Sequence, residues 1–93
     1  MKITRLARSI RVTTSRWVIL ITDTGWFEVY TDPTVRSPLG EIYTSDPELV
    51  CSGVLSETSE LRWEVAPPEE VKKNILRTLT DKRVLEAWRG VKQ

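Results

Sequence analysis

The stretch RWVILITDTGWFEVYT, residues 16–31, decides how the chain is read. Two runs of β-branched and aromatic residues flank Asp23-Thr24-Gly25, and this composition predicts two strands joined by a three-residue hairpin loop. Glycine fits the third loop position, because the left-handed conformation required there is open to glycine without steric cost. The loop sets the register. Ile21 faces Phe27, Ile19 faces Val29 and Trp17 faces Thr31, so Trp17, Ile19, Ile21, Phe27 and Val29 share one side as core. The reverse side carries Val18, Leu20, Trp26, Glu28 and Tyr30, a mixture too apolar to leave bare and too polar to bury without partners.

Outward from this hairpin, EVYTDP at 28–33 is echoed by EIYTSDP at 41–47, each a strand-like run ending in an Asp-Pro turn. Glu28 and Tyr30, like Glu41 and Tyr43, stand two residues apart and point to the same side of their strands. If the echoed strands pair, all four join Trp26 in an acidic, aromatic patch. Ser37-Pro38-Leu39-Gly40 marks a further turn.

Residues 49–65, LVCSGVLSETSELRWEV, predict another hairpin. A two- or four-residue tip at Glu57-Thr58 sets Val54 opposite Leu61 and Val50 opposite Val65. Val50, Val54, Leu61, Trp63 and Val65 then share a face, with Glu60, Arg62 and Glu64 on the other.

After Ala66 the period changes from two to 3.6. Pro67 and Pro68, followed by Glu69 and Glu70, suit the first turn and positive end of a helix. Val71, Ile75, Leu76 and Leu79 form an apolar stripe whose phase slips at Thr80-Asp81 before Val84, Leu85 and Trp88. Two short helices are expected, about 68–79 and 81–90, the second capped by Thr80 or Asp81 and ending near Gly90. Residues 2–13 fit a helix by spacing and a strand by the content of SIRVTT, and the strand is preferred. The expected fold is α+β: an antiparallel β-sheet or small barrel of five to six strands, followed by a C-terminal pair of short helices. The chain is read as a single domain over 1–93, mainly β over 1–66 and helical over 67–91.

Composition bounds the function. With 93 residues, 40% hydrophobic and 29% charged, the chain matches an ordered domain holding one modest core. The single cysteine, Cys51, excludes an intramolecular disulfide framework and favours the cytoplasm. No apolar run approaches the ~20 residues that span a bilayer, so no membrane association is expected. Residues 1–22 hold five basic residues and no acid, as a mitochondrial transit peptide would, yet they run without a break into strand-forming sequence.

Without histidine there is no Ser-His-Asp or Cys-His arrangement and no mixed Cys/His zinc site, and the four glycines form no phosphate-loop or dinucleotide motif. Glu57, Glu60 and Glu64, or Asp23, Asp32, Asp46 and Glu48, are read as turn and solvated-strand residues rather than a metal or catalytic set. No enzyme activity, metal or cofactor is expected.

Charge is segregated: +5 over 1–22, −9 over 23–70 and +5 over 71–93. Of the four tryptophans, Trp17, Trp63 and Trp88 fall on core stripes, whereas Trp26 lies on the reverse side of the first hairpin. The preferred expectation is a small non-enzymatic protein-binding module, an inhibitor or adaptor. Its site is Trp26, Glu28, Tyr30, Glu41 and Tyr43, set against a partner with a basic surface or a second copy of the chain. In the competing arrangement the C-terminal helices cover this face and their basic residues meet its glutamates. The alternative function is nucleic-acid binding by Arg5, Arg8, Arg11 and Arg16 together with Lys72, Lys73, Arg77, Lys82, Arg83 and Arg89.

Overall fold

Residues 2–22 fold as three successive strands, not as a basic helix. In the computed structural model, residues 1–32, 39–40 and 46–92 are described in full, and 34–37 and 41–43 by their backbone alone. The strands are β1 (Lys2–Arg5), β2 (Ser9–Thr13), β3 (Trp17–Thr22), β4 (Trp26–Thr31), β5 (Thr34–Ser37), β6 (Gly40–Tyr43), β7 (Leu49–Leu55) and β8 (Leu61–Val65). Helices α1 (Glu69–Leu79) and α2 (Lys82–Lys92) follow.

Six strands form one antiparallel sheet in the order β1-β2-β3-β4-β7-β8, while β5 and β6 pair with each other alone. The fold is therefore α+β, and the sheet is open rather than closed into a barrel. All its joints except β4 to β7 link sequence neighbours.

The β3–β4 register is the one its loop dictates: Trp17↔Thr31, Ile19↔Val29 and Ile21↔Phe27. Gly25 takes a φ of +93° and its amide donates to the Thr22 carbonyl at 3.0 Å. Its own carbonyl accepts from the Leu55 amide at 2.8 Å, and any side chain there would strike the Leu55 carbonyl oxygen. The turn thus sets the hairpin and also abuts β7.

The β7–β8 hairpin departs from expectation by one residue. Leu55 faces Leu61 and Val54 faces Arg62, so Val54 leaves the core side. The cause is the loop. Ser56 and Glu60 close a three-residue tip in which Ser59, at φ 67°, takes the role that Gly25 plays in the other hairpin. A further register shift between Ser52 and Gly53 pairs Ser52 with Val65, which is 47% exposed rather than core.

One apolar cluster lies between the sheet and the helices. Ile10, Val12, Ile19, Ile21, Phe27, Val29, Cys51 and Leu55 come from the sheet, and Ile75, Leu79, Val84 and Trp88 from the helices. Trp17 and Trp63 are half-buried against it. The Trp88 indole donates to the Thr22 carbonyl at 2.8 Å, tying α2 to the end of β3. Asp81 caps α2 through the Arg83 amide at 2.8 Å, and the helix runs through Gly90 to Lys92 instead of ending there.

Candidate functional site

Both helices sit on the side of the sheet that carries Ile19, Ile21, Phe27 and Val29. The competing arrangement, with helices over Trp26, is not the one adopted. The reason is in the cross-strand rows. Ile3, Val12, Ile19, Val29 and Cys51 make one uncharged row on the helix side, and Arg5, Ile10, Ile21, Phe27, Gly53 and Trp63 make the next, its one charge lying on the edge strand, where Arg5 donates to the Gly90 carbonyl. On the other side the central row reads Thr4, Arg11, Leu20, Glu28, Ser52, Val65 across the six strands. Covering that row with a helix would bury two charges without partners, which is costly.

The helix-free face is nonetheless largely apolar. Val18, Leu20, Trp26, Tyr30 and Val54 are half-buried among their sheet neighbours, and Leu49 is 48% exposed. None of these packs against the core cluster, to which both helices contribute from the other side of the sheet. Trp26 pairs with Val54, Glu28 with Ser52 and Tyr30 with Leu49, so the three expected residues of β4 line one strand at the centre of the sheet. Burial raises the Tyr30 phenol above its ordinary pKa, and the neighbouring Glu28 carboxylate adds to the shift.

Glu41 and Tyr43 do not extend this strand pair. Their strand, β6, pairs with β5, while β4 pairs with β3 and β7, so the echoed segments are not neighbours in a sheet. Their side chains lie outside the described residues. Of the acidic and aromatic set, Glu28 is the carboxylate on the central row, with Arg11 on one side of it and Arg62 beside Val54 on the other. Sequence reasoning missed Val54 on this face, because the register of its hairpin turns on a serine in a glycine-like conformation, and Val65, because the register shifts again between Ser52 and Gly53; Arg62 lies away from the core as expected.

The basic residues are dispersed. Arg5 donates to the Gly90 carbonyl at 2.6 Å, bracing α2 against the sheet edge. Arg8 lies in the β1–β2 turn, where its carbonyl accepts from the Asp23 amide, and Arg11 is on the open face. Lys72 is 3.8 Å from Glu69 and sits over the Trp63 ring, Lys82 is 4.0 Å from Glu86, and Arg83 pairs with Asp81 at 3.2 Å. Lys73 and Arg89 are exposed on their helices. Arg16 and Arg77 line an open groove of about 360 Å³ between the β2–β3 turn and α1, with Thr14, Ser15, Trp17, Asn74 and Thr78.

Among the described residues no three acidic or cysteine side chains gather as a metal would require, and no helix is long and apolar enough to cross a membrane. Glu57 reaches Lys92 at 2.6 Å, and Lys92 also lies 4.4 Å above the Trp88 ring. Compared with protein-family models, with curated proteins and with solved structures, the chain matches none.

Proposed function

We propose that the chain is a small, non-enzymatic protein-binding module of the inhibitor or adaptor kind, and that its site is the helix-free face of the sheet. One observation carries the reading. The helices cover only one side, and the other presents Val18, Leu20, Trp26, Tyr30 and Val54 contiguously around a single carboxylate, Glu28. Contiguous apolar surface left partly exposed in this way marks interaction sites, and Trp and Tyr dominate the energy of such interfaces. The partner fills the apolar rows and sets a basic group against Glu28. A reducing compartment suits the buried free thiol of Cys51, and we place the protein in the cytoplasm.

Nucleic-acid binding is the weaker reading. The basic residues are spread over β1, β2, two turns and both helices, and four of them are engaged with carboxylates or with the α2 terminus.

The test is affinity capture with the wild type, Trp26→Ala and Tyr30→Ala, each melted in parallel and captured with and without nuclease. The expected result is a protein partner, insensitive to nuclease, that both variants lose while their melting transitions stay put. Equal capture by all three proteins, or capture abolished by nuclease, overturns the reading.

A further inference from the structure

We infer that the occupant of the open face is a second copy of this chain, packed sheet to sheet about a two-fold axis that runs along β3. The inference rests on reading this face as a protein-binding site and names its partner. Arg11 and Glu28 occupy the same cross-strand row, one strand to either side of Leu20. A two-fold axis laid along β3 sets Leu20 against the partner's Leu20 and Val18 against the partner's Val18. It necessarily sets Arg11 against the partner's Glu28, and Glu28 against the partner's Arg11. In the adjoining row it brings the Thr13 hydroxyl to the partner's Tyr30.

The placement is selective. With the axis along β4, Glu28 would face the partner's Glu28; with the axis between β3 and β4, each carboxylate would face leucine. Both alternatives bury unpaired or like charges, which costs more than the apolar contact returns. The geometry suits the side chains, because facing sheets pack ~10 Å apart and an extended arginine and glutamate meet end to end across such a gap. Among the described residues neither Arg11 nor Glu28 has an ion-pair partner within its own chain. A symmetric interface of this kind is self-complementary, residue i touching j as j touches i. The footprint spans five strands, about 24 Å at ~4.8 Å per strand.

Sedimentation equilibrium of the purified chain tests the proposal. The wild type is expected to dimerise, Arg11→Glu and Glu28→Arg each to weaken dimerisation at least tenfold, and the combined variant R11E/E28R to recover most of it. A second measurement does not depend on charge reversal. Leu20→Cys on the axis should be joined to its copy by a short-spacer bis-maleimide, whereas Val54→Cys, two strands from the axis and so about 22 Å from its mate across the ~10 Å gap, should not. A wild type that stays monomeric at several hundred micromolar overturns the second-copy proposal, as does a dimer indifferent to these changes. Either result leaves the protein-binding reading to stand or fall on whether Trp26→Ala loses a different captured partner.

Discussion

Phe27 and Trp63 meet edge to face, their ring centroids 5.6 Å apart and their planes at 84°, across a glycine that pairs with both. Gly53 stands between them in the sheet, and a β-carbon there would strike the Arg62 carbonyl oxygen and come within 3.0 Å of the Phe27 ring. The missing side chain is what lets the rings close over β7. Gly53→Ala should therefore destabilise the fold by about 2 kcal/mol or more, as overpacking does. At ~4–8 °C per kcal/mol for a domain of this size, thermal melting resolves the loss easily, and an unchanged midpoint would refute the packing account.

The face assignment of the first hairpin separates two adjacent residues. Ile19 is fully buried among the core residues, whereas Leu20 points to the open side. Ile19→Asp should unfold the domain, since an unpaired buried carboxylate costs several kcal/mol, on the order of the whole stability. Leu20→Asp should melt close to the wild type and lose self-association. Circular dichroism and sedimentation on both variants check the pair, and similar behaviour of the two would contradict the register.

That register was legible because Gly25 announces its loop and because the pattern on either side is strict. The second hairpin was not, since its left-handed residue is Ser59: a one-residue error turned Val54 inward, and the further shift between Ser52 and Gly53 misplaced Val65. Nor did local pattern decide which face the helices take, both sides of β3 and β4 being apolar. The decision lies in rows assembled from six strands: Arg11 and Glu28 interrupt the interior of one face, whereas the charge on the other, Arg5, sits on the edge strand and donates to the Gly90 carbonyl. The EVYT and EIYT echo misled for the same reason. Pairing between distant strands is set by the whole sheet, and β4 found β7 instead.

Ser59 carries a conformational cost that glycine would not. A left-handed non-glycine residue is disfavoured by roughly 1–2 kcal/mol, part of which glycine gives back through greater freedom of the unfolded chain. Ser59→Gly should raise the melting temperature by a few degrees, while Gly25→Ser, placed against the Leu55 carbonyl, should lower it sharply. A Ser59→Gly variant less stable than the wild type would show the strain to be absent.

The start of α2 should make stability depend on acid pH. Asp81 accepts from the side chain and the amide of Arg83, and these bonds hold its carboxyl below the ordinary range. A carboxyl with a lower pKa in the folded state contributes fully above its unfolded value, and that contribution is lost as pH falls through the folded one. Asp81→Asn should thus be less stable than the wild type at neutral pH, with the two melting curves converging below pH 4. A gap that stays constant with pH would exclude charge as the source of the capping effect.

Cys51 gives the most direct view of how the sheet opens. It is fully buried opposite Val29, and burial pushes its thiol up to about 11, so at neutral pH the group is both covered and protonated. Thiolate is the reactive form, and neither reagent nor base reaches this one without separation of β4, β7 and the helices. Labelling with a thiol reagent at pH 8 should be slow in the native protein and should accelerate steeply with urea, following the population of opened molecules. Cysteine introduced at Leu20 supplies the contrast, because it lies on the open face of the same sheet and needs no unfolding to react. It should label rapidly in dilute monomer and more slowly as the protein is concentrated and the face is covered. Fast native labelling of Cys51, at the rate of the exposed site, would mean that the sheet and helices part far more readily than their shared core allows.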